Sequence, residues 1–463
     1  MSERLRDSVR YSRRHFAAVL GASTVGLSAS WVAGAVPASI PWPTRQSWLT
    51  EALRRKDSSY DPLARMLVAP AAAGPAYPAV LRPRDVHPTR LSLAYAAALL
   101  DTGESWRVQR AREILGAVIP LQDQAPGRKS SGQWPWCLEE PLQNQTSIDW
   151  DDLCPTALLT ARMIGRQQLR GSLEQQTREA IEYAARQPRE PERTPAHRAI
   201  MQVGFVVLAV QELQLTDLRL QARGRLRRLY EHLMRAGSFD DYNSPSDSLQ
   251  VLQELSRMLA LVRDARDKAL IRALHDLAWK HVATHFHAPS QQWAGPHSYN
   301  VETDLKKQPA TLAFLQRGCG ELAHLHSVDP FALSLEAYRL PLQCPRKWAR
   351  AFGTLEAPRQ TVETFALPDP AQPGCRQPIT GTTWLHPRLT IGSVGRFLET
   401  SPAAARLLGH SGAPTVSARA ISQGRPGFQF RALVQRSTSK SCPGRGRLEH
   451  GSRGRSSWPR TRP

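Results

Sequence analysis

Apolar residues recur at helical spacing through most of the chain, in runs that come in pairs. Thr89 to Leu100 and Trp106 to Leu121 make the first pair, broken at Asp101-Thr102-Gly103. Leu153 to Leu169 with Leu173 to Arg186 make a second, and Ala196 to Leu213 with Leu218 to Met234 a third. Ser246 to Arg263 with Asp267 to Phe286 form a fourth, and Pro309 to His326 with Phe331 to Tyr338 a fifth. A short helix, Trp42 to Arg55, precedes them, and the proline-punctuated stretch Pro62 to His87 reads as loop. A pair thus returns roughly every 45 to 60 residues, the rhythm of a helix-hairpin array. Such arrays stack as open solenoids or close as rings. The pairs share no repeated sequence, which a solenoid would show, and their connecting loops are long, unequal and rich in polar aromatics. The pattern predicts a mostly α fold, an (α/α) toroid or barrel of helical hairpins over 39–345.

After Pro341 the periodicity changes from helical to alternating. Thr361 to Leu367 alternates, and Thr382 to Leu385 and Arg388 to Val394 are short and β-branched, with Pro and Gly between. A short, incomplete β-domain is expected over 346–399. From about Thr400 the chain is Ser, Gly, Arg and Pro with few apolar residues, too few to offset the entropy of ordering. A basic disordered tail is expected over 400–463.

Composition alters this picture at the two ends. The 463 residues allow two or three domains and a large core. Net charge is +21, but Ser401 to Pro463 alone holds twelve Lys or Arg against one acid, Glu449. Charge gathered in a tail is weak evidence about the partner of the body, and no nucleic acid is expected. At the other end, Tyr11-Ser12-Arg13-Arg14-His15-Phe16 precedes a mildly apolar run from Ala17 to Ala35, with small residues at Ala33-Gly34-Ala35. The paired arginines before Phe16 resemble a twin-arginine export signal, here 1–38. That resemblance implies the twin-arginine export machinery as a partner, a periplasmic or secreted mature chain, and no stable membrane span after processing. Six cysteines are permitted to pair in such a compartment, although buried free thiols fit at least as well. No C-x-x-C occurs.

Candidate chemistry gathers in two places. The first is the loop Gly132-Gln133-Trp134-Pro135-Trp136-Cys137-Leu138-Glu139-Glu140, continued by Asp149-Trp150. Exposed Trp faces stack on sugar rings and carboxylates accept from sugar hydroxyls. Trp134 and Trp136 equally suit plugs beneath the loop, with Asp151 or Asp152 capping the next helix. The second lies at the two ends of the fourth pair. An antiparallel hairpin brings the loop before its first helix and the loop after its second to one end. Tyr242 and Asn243 are therefore expected beside His297 and Tyr299. Asn243 there would hold a carboxylate, Tyr242 and Tyr299 would move protons, and His297 titrates near neutrality. The bland alternative is a structural turn at Asn243-Ser244-Pro245 and a loop corner at Gly295-Pro296. His281 and His285 stand four apart on one helical face, but Val282 replaces the Glu of the metalloprotease motif. No metal or cofactor is expected. No G-x-S-x-G, P-loop or dinucleotide fingerprint is present. A glycosidase would need two opposed carboxylates, for which Glu139, Glu140, Asp149, Asp240 and Asp241 are available.

The helix pairs, the W-P-W…E-E loop, Tyr242-Asn243-Ser244-Pro245 and Ala294-Gly295-Pro296-His297-Ser298, followed by β-structure, together resemble secreted (α/α)-toroid carbohydrate-active proteins. These are polysaccharide lyases of the heparinase and alginate-lyase kind and six-hairpin glycosidases. The resemblance spans about Pro88 to Phe397. It implies an exported protein that acts on a polysaccharide or oligosaccharide, in the lyase case by β-elimination on uronate-containing glycans. Toroid lyases use Asn or His with Tyr and often Arg. The resemblance puts Tyr242, Asn243, His297 and Tyr299 in the catalytic roles and Trp134, Trp136, Glu139, Glu140, Asp149 and Trp150 along the substrate. The Asn-His dipeptide of some lyases is absent, since Ser244 follows Asn243, and no arginine stands out as charge neutraliser. A glycoside hydrolase on the same fold, or a non-catalytic glycan-binding or scaffold protein, is the alternative.

Overall fold

The computed structural model describes residues 42–70, 85–128, 130–140, 153–187, 196–239, 242–297, 304–323, 325–368 and 376–395, and the strands Thr415–Arg419 and Gln429–Leu433. The expected export signal lies outside the described residues, as do Asp149, Trp150, Tyr299, Asp240 and Asp241.

Helices dominate. They are α1 Arg45–Asp57, α2 Thr89–Thr102, α3 Ser105–Val118, α4 Leu153–Gly165, α5 Ser172–Arg186, α6 Ala196–Leu213, α7 Arg219–Ala236, α8 Pro245–Leu261, α9 Ala265–His285, α10 Pro309–Cys319 and the single turn α11 Arg346–Ala349. Local chemistry sets their ends. Gly103 closes α2 in the left-handed conformation, at φ 70°, which costs glycine nothing. Pro245 opens α8 from the first turn, where its missing N–H is not needed. Asp264 caps α9 by accepting from the backbone N–H groups of Arg266 and Asp267.

The four expected pairs α2–α3, α4–α5, α6–α7 and α8–α9 all form. The fifth does not. Only α10 is helical there, and Phe331 to Tyr338 is a 3₁₀ turn at Pro330–Ala332 followed by irregular chain. Pro330 lacks a donor, the Asp329 side chain accepts from Phe331 N, and the Pro330 carbonyl is taken by Trp48.

The helices form two rows. In one, α2 touches α4, α4 touches α6, α6 touches α8 and α8 touches α10; in the other, α3 touches α5 and α7 touches α9. The segment after α10 returns to the start of the array. Trp48 on α1 donates its indole N–H to Pro330 O at 2.7 Å and stacks on Tyr338 at 4.9 Å. Asp101 on α2 collects Arg45 at 2.6 Å, Arg339 at 2.8 Å and the Tyr338 hydroxyl. Arg90 on α2 pairs with Glu336.

Five strands follow the helices: β1 Arg359–Pro368, β2 Arg376–His386, β3 Leu389–Gly395, β4 Thr415–Arg419 and β5 Gln429–Leu433. They make one antiparallel meander in sequence order, with Glu363 opposite Gly381 and Trp384 opposite Ile391. Disorder was the expectation beyond Thr400, yet β4 and β5 lengthen the sheet. Each is a short alternating run, Val416 and Ala418 in one, Phe430 and Ala432 in the other. Among the described residues Cys137, Cys319 and Cys344 are buried free thiols, and Cys154 is buried as well. No helix among them is long and apolar enough to cross a membrane.

The sheet seats on the α8–α9 hairpin through defined contacts. The Arg359 guanidinium on β1 donates to the carbonyls of Ala283 at 2.6 Å and of Thr284 and Phe286 at 3.3 Å, at the C-terminal end of α9 and the residue that caps it. A cation there also meets the negative end of the helix dipole. Thr383 on β2 donates to Gly295 O at 2.9 Å. Two glycines permit close approach: a Cβ on Gly381 would fall 2.9 Å from the Tyr242 hydroxyl, and one on Gly392 2.3 Å from the Gly295 carbonyl carbon.

Candidate functional site

The two ends of the α8–α9 hairpin meet, and the sheet covers them. Asn243 is the knot. It sits at φ 54°, a left-handed turn that Asn tolerates better than most residues. Its amide NH₂ donates to Ala294 O at 2.7 Å and Pro296 O at 2.8 Å, and its Oδ1 accepts from Trp293 Nε1 at 2.6 Å. The Gly295-Pro296 bond it holds is cis. The His297 ring donates from Nδ1 to Asn243 O at 2.7 Å, because a carbonyl can only accept. Tyr242, Asn243 and His297 are thus brought together, while Tyr299 falls outside the described residues.

Their exposure differs from what the loop sequence suggests. Tyr242 and Asn243 are fully buried, and His297 is half-buried. An amide with both donors and its oxygen committed inside the fold has nothing left for a substrate carboxylate. Asn243 therefore builds the corner; the carboxylate-holding role expected for it is not supported by its bonding. Burial, and then the Glu363 carboxylate, push the Tyr242 phenol far above its ordinary range. Tyr242 stacks flat on Phe365 of β1 at 3.9 Å.

Behind Tyr242 lies a cluster that the sequence alone did not assemble. His281 and His285 on α9 face Glu363 on β1, with the ligating atoms of all three within 4.8 Å of one another. Tyr242 Oη lies 3.2 Å from His285 Nε2. Two signals pointed here: the i, i+4 spacing of the histidines, and the strand alternation that puts Thr361, Glu363 and Phe365 on one face. Burial lowers His285 to about 4 and raises Glu363. The remaining histidines of this helix end are structural. His275 accepts from Trp279 Nε1 at 3.1 Å, and His287 donates from Nε2 to His386 O at 2.8 Å.

The tryptophan loop is also built inward. Trp134 is 4% exposed and donates to Val118 O at 3.0 Å, so it presents no open face to a sugar. Trp136 is half-buried, and its carbonyl accepts from Thr89 N at 2.9 Å. Glu140 is buried and accepts from Trp136 N at 2.8 Å, closing the turn. Glu139 holds both the His87 backbone N–H, at 3.0 Å, and the His87 ring, whose other nitrogen lies 3.0 Å from Asp61. Burial alone would lower the His87 pKa; the two carboxylates outweigh it and raise it. Asp149 and Trp150, the other expected substrate contacts, lie outside the described residues.

Arg90 on α2, Leu153 and Thr156 on α4, Met201 on α6, Arg257 on α8 and Glu336 border a cavity of about 20 Å³ along the α2–α4–α6–α8 row. That is space on the order of one water molecule. Neither a protein-family model nor a curated protein matches the chain.

Proposed function

We propose that the helical body is an (α/α) toroid and that the chain is an exported carbohydrate-active protein working at the corner of the α8–α9 hairpin. The ring is supported by the contacts of Trp48, Arg90 and Asp101 with residues 330–339, which tie the first helices to the segment after α10. An open solenoid would leave those surfaces apart. The reaction favoured is β-elimination on a uronate-containing glycan.

One observation carries the catalytic part. The Asn243 carbonyl fixes the His297 ring with its proton on Nδ1, so Nε2 is the basic nitrogen of a half-buried imidazole. A neutral histidine oriented by a carbonyl is the usual form of a general base. His297 would take the C5 proton of the uronate, while Tyr242 and Asn243 hold the wall behind it. Export through the twin-arginine pathway accords with the paired arginines at Arg13-Arg14.

Incubation of the mature chain with uronate-containing polysaccharides tests this. Unsaturated product should accumulate and should fall at least 100-fold in His297→Ala, measured on a variant shown to be folded. Binding without product, indifferent to His297→Ala, would instead favour a non-catalytic glycan-binding protein.

A further inference from the structure

The Tyr242–His281–His285–Glu363 cluster has a donor deficit that hydrogen bonding within it does not meet. His285 Nδ1 lies 2.9 Å from His281 O, and a carbonyl only accepts, so Nδ1 carries the hydrogen and Nε2 presents a lone pair. His281 Nε2 lies 3.1 Å from Asn243 N, and a backbone N–H only donates, so Nε2 accepts and the hydrogen of His281 is on Nδ1. That Nδ1 lies 3.8 Å from Glu363 Oε2, beyond hydrogen-bond distance. Glu363 Oε2 is buried with no well-formed hydrogen bond among the described residues, and the Tyr242 hydroxyl is the donor nearest its carboxylate. It lies 3.4 Å from the His285 lone pair. The Tyr242 oxygen faces the same nitrogen at 3.2 Å, with one hydroxyl hydrogen to serve both neighbours. Three electron-rich atoms therefore converge around a single proton, in a place where an unmet acceptor is costly.

Their spacing says what would satisfy them. Ligands about 2.0–2.1 Å from a tetrahedral zinc ion lie roughly 3.3–3.4 Å from one another. The two measured edges are 3.2 Å and 3.4 Å. The mixture of imidazole nitrogen, carboxylate and phenol oxygen suits zinc or a similar first-row ion better than magnesium or calcium. The outer bonds are also those of a ligand set. The ring N–H of His285 is held by a backbone carbonyl, which fixes the ring and makes Nε2 more basic.

We propose that Tyr242 Oη, His285 Nε2 and Glu363 Oε2 form a site for one divalent transition ion of zinc's kind, with His281 as the outer group that steers the Glu363 carboxylate. His281 is not a ligand here, because turning its lone pair inward would set its Nε2–H against the Asn243 N–H. The ion joins α9 to β1 and to the turn before α8, so it pins the sheet on the helical body. Binding converts the phenol to a phenolate and releases one proton to solvent. The site does not depend on the carbohydrate reading and holds whether or not His297 is a base.

The test is zinc binding to the full chain after chelator treatment, measured by competition with a chromophoric chelator, together with cobalt substitution. One equivalent should bind with a dissociation constant below about 1 µM and raise the melting temperature. Glu363→Gln, nearly isosteric, should weaken binding at least 100-fold, and His281→Gln by about 10- to 100-fold. Should the variants not fold, the wild-type cobalt spectrum decides: intense visible bands of a four-coordinate ion support the site. A weak six-coordinate spectrum overturns it. So does the absence of saturable binding, or an equivalent bound unchanged in folded Glu363→Gln; the deficit would then be met by a proton.

Discussion

Asn243 and His87 are each held by several defined hydrogen bonds. Replacing Asn243 by Ala strands the Ala294 and Pro296 carbonyls and the Trp293 indole N–H inside the fold, and places Ala at positive φ. Asn243→Ala should cost about 2–4 kcal/mol in urea unfolding. A midpoint equal to wild type would show that the corner does not depend on this amide. His87 sets a pH dependence whose sign can be worked out. Its folded pKa is raised above the unfolded value near 6.5, so its stabilisation is full below about pH 6.5 and is lost as pH rises through the folded value. Burial works against ionised Glu139, but the His87 contacts prevail and lower its pKa, so the partner's share fades only on acidification. Glu139→Gln should therefore shift the urea midpoint more at pH 6 than at pH 9. An equal shift at both would mean that His87 is not held as a cation.

At the level of elements, the seat of the sheet on the α8–α9 hairpin depends on two glycines. A Cβ on Gly392 would press within 2.3–2.5 Å of backbone atoms of Gly295 and Pro296, which cannot yield locally. A Cβ on Gly381 would meet the Tyr242 ring edge at 2.9–3.0 Å, a side chain able to shift slightly. Gly392→Ala should therefore expose the β1–β3 amides to hydrogen exchange more than Gly381→Ala does; the reverse order would contradict this docking. The buried Arg257–Glu254 pair, 3.0 Å apart and each 5% exposed, gives another contrast. Glu254→Ala should cost about 3 kcal/mol by removing the nearest carboxylate from buried Arg257 and leaving it only Glu336 and Thr160, whereas replacing both with Met should cost far less. Equal losses would show the pair to be solvated.

These elements also mark what the sequence made legible. The eight helices of the first four pairs follow from apolar spacing, since each must bury one stripe. The second helix of the fifth pair fails because Pro330 and the tie to Trp48 override a short apolar run. Hairpin topology correctly put Tyr242 and Asn243 beside His297. Their burial was not legible, because the sheet that covers them comes from residues far along the chain. Arg359, Gly381 and Gly392 act through contacts that no local pattern encodes, and strand alternation gives the face of Glu363 but not its partners.

At the scale of the molecule, the 330–339 segment touches the first described helices at Trp48, Arg90 and Asp101, the contacts on which the proposed ring rests. Trp48 and Tyr338 stack at 4.9 Å with planes 11° apart, although most of the helical array separates them in sequence. A ring brings them together, and an open array keeps them apart. A double-mutant cycle of Trp48→Ala and Tyr338→Ala by urea unfolding tests the closure most directly. Closure predicts a coupling of about 0.5–1.5 kcal/mol. Strictly additive losses would mean that the two rings do not meet and that the helices do not close.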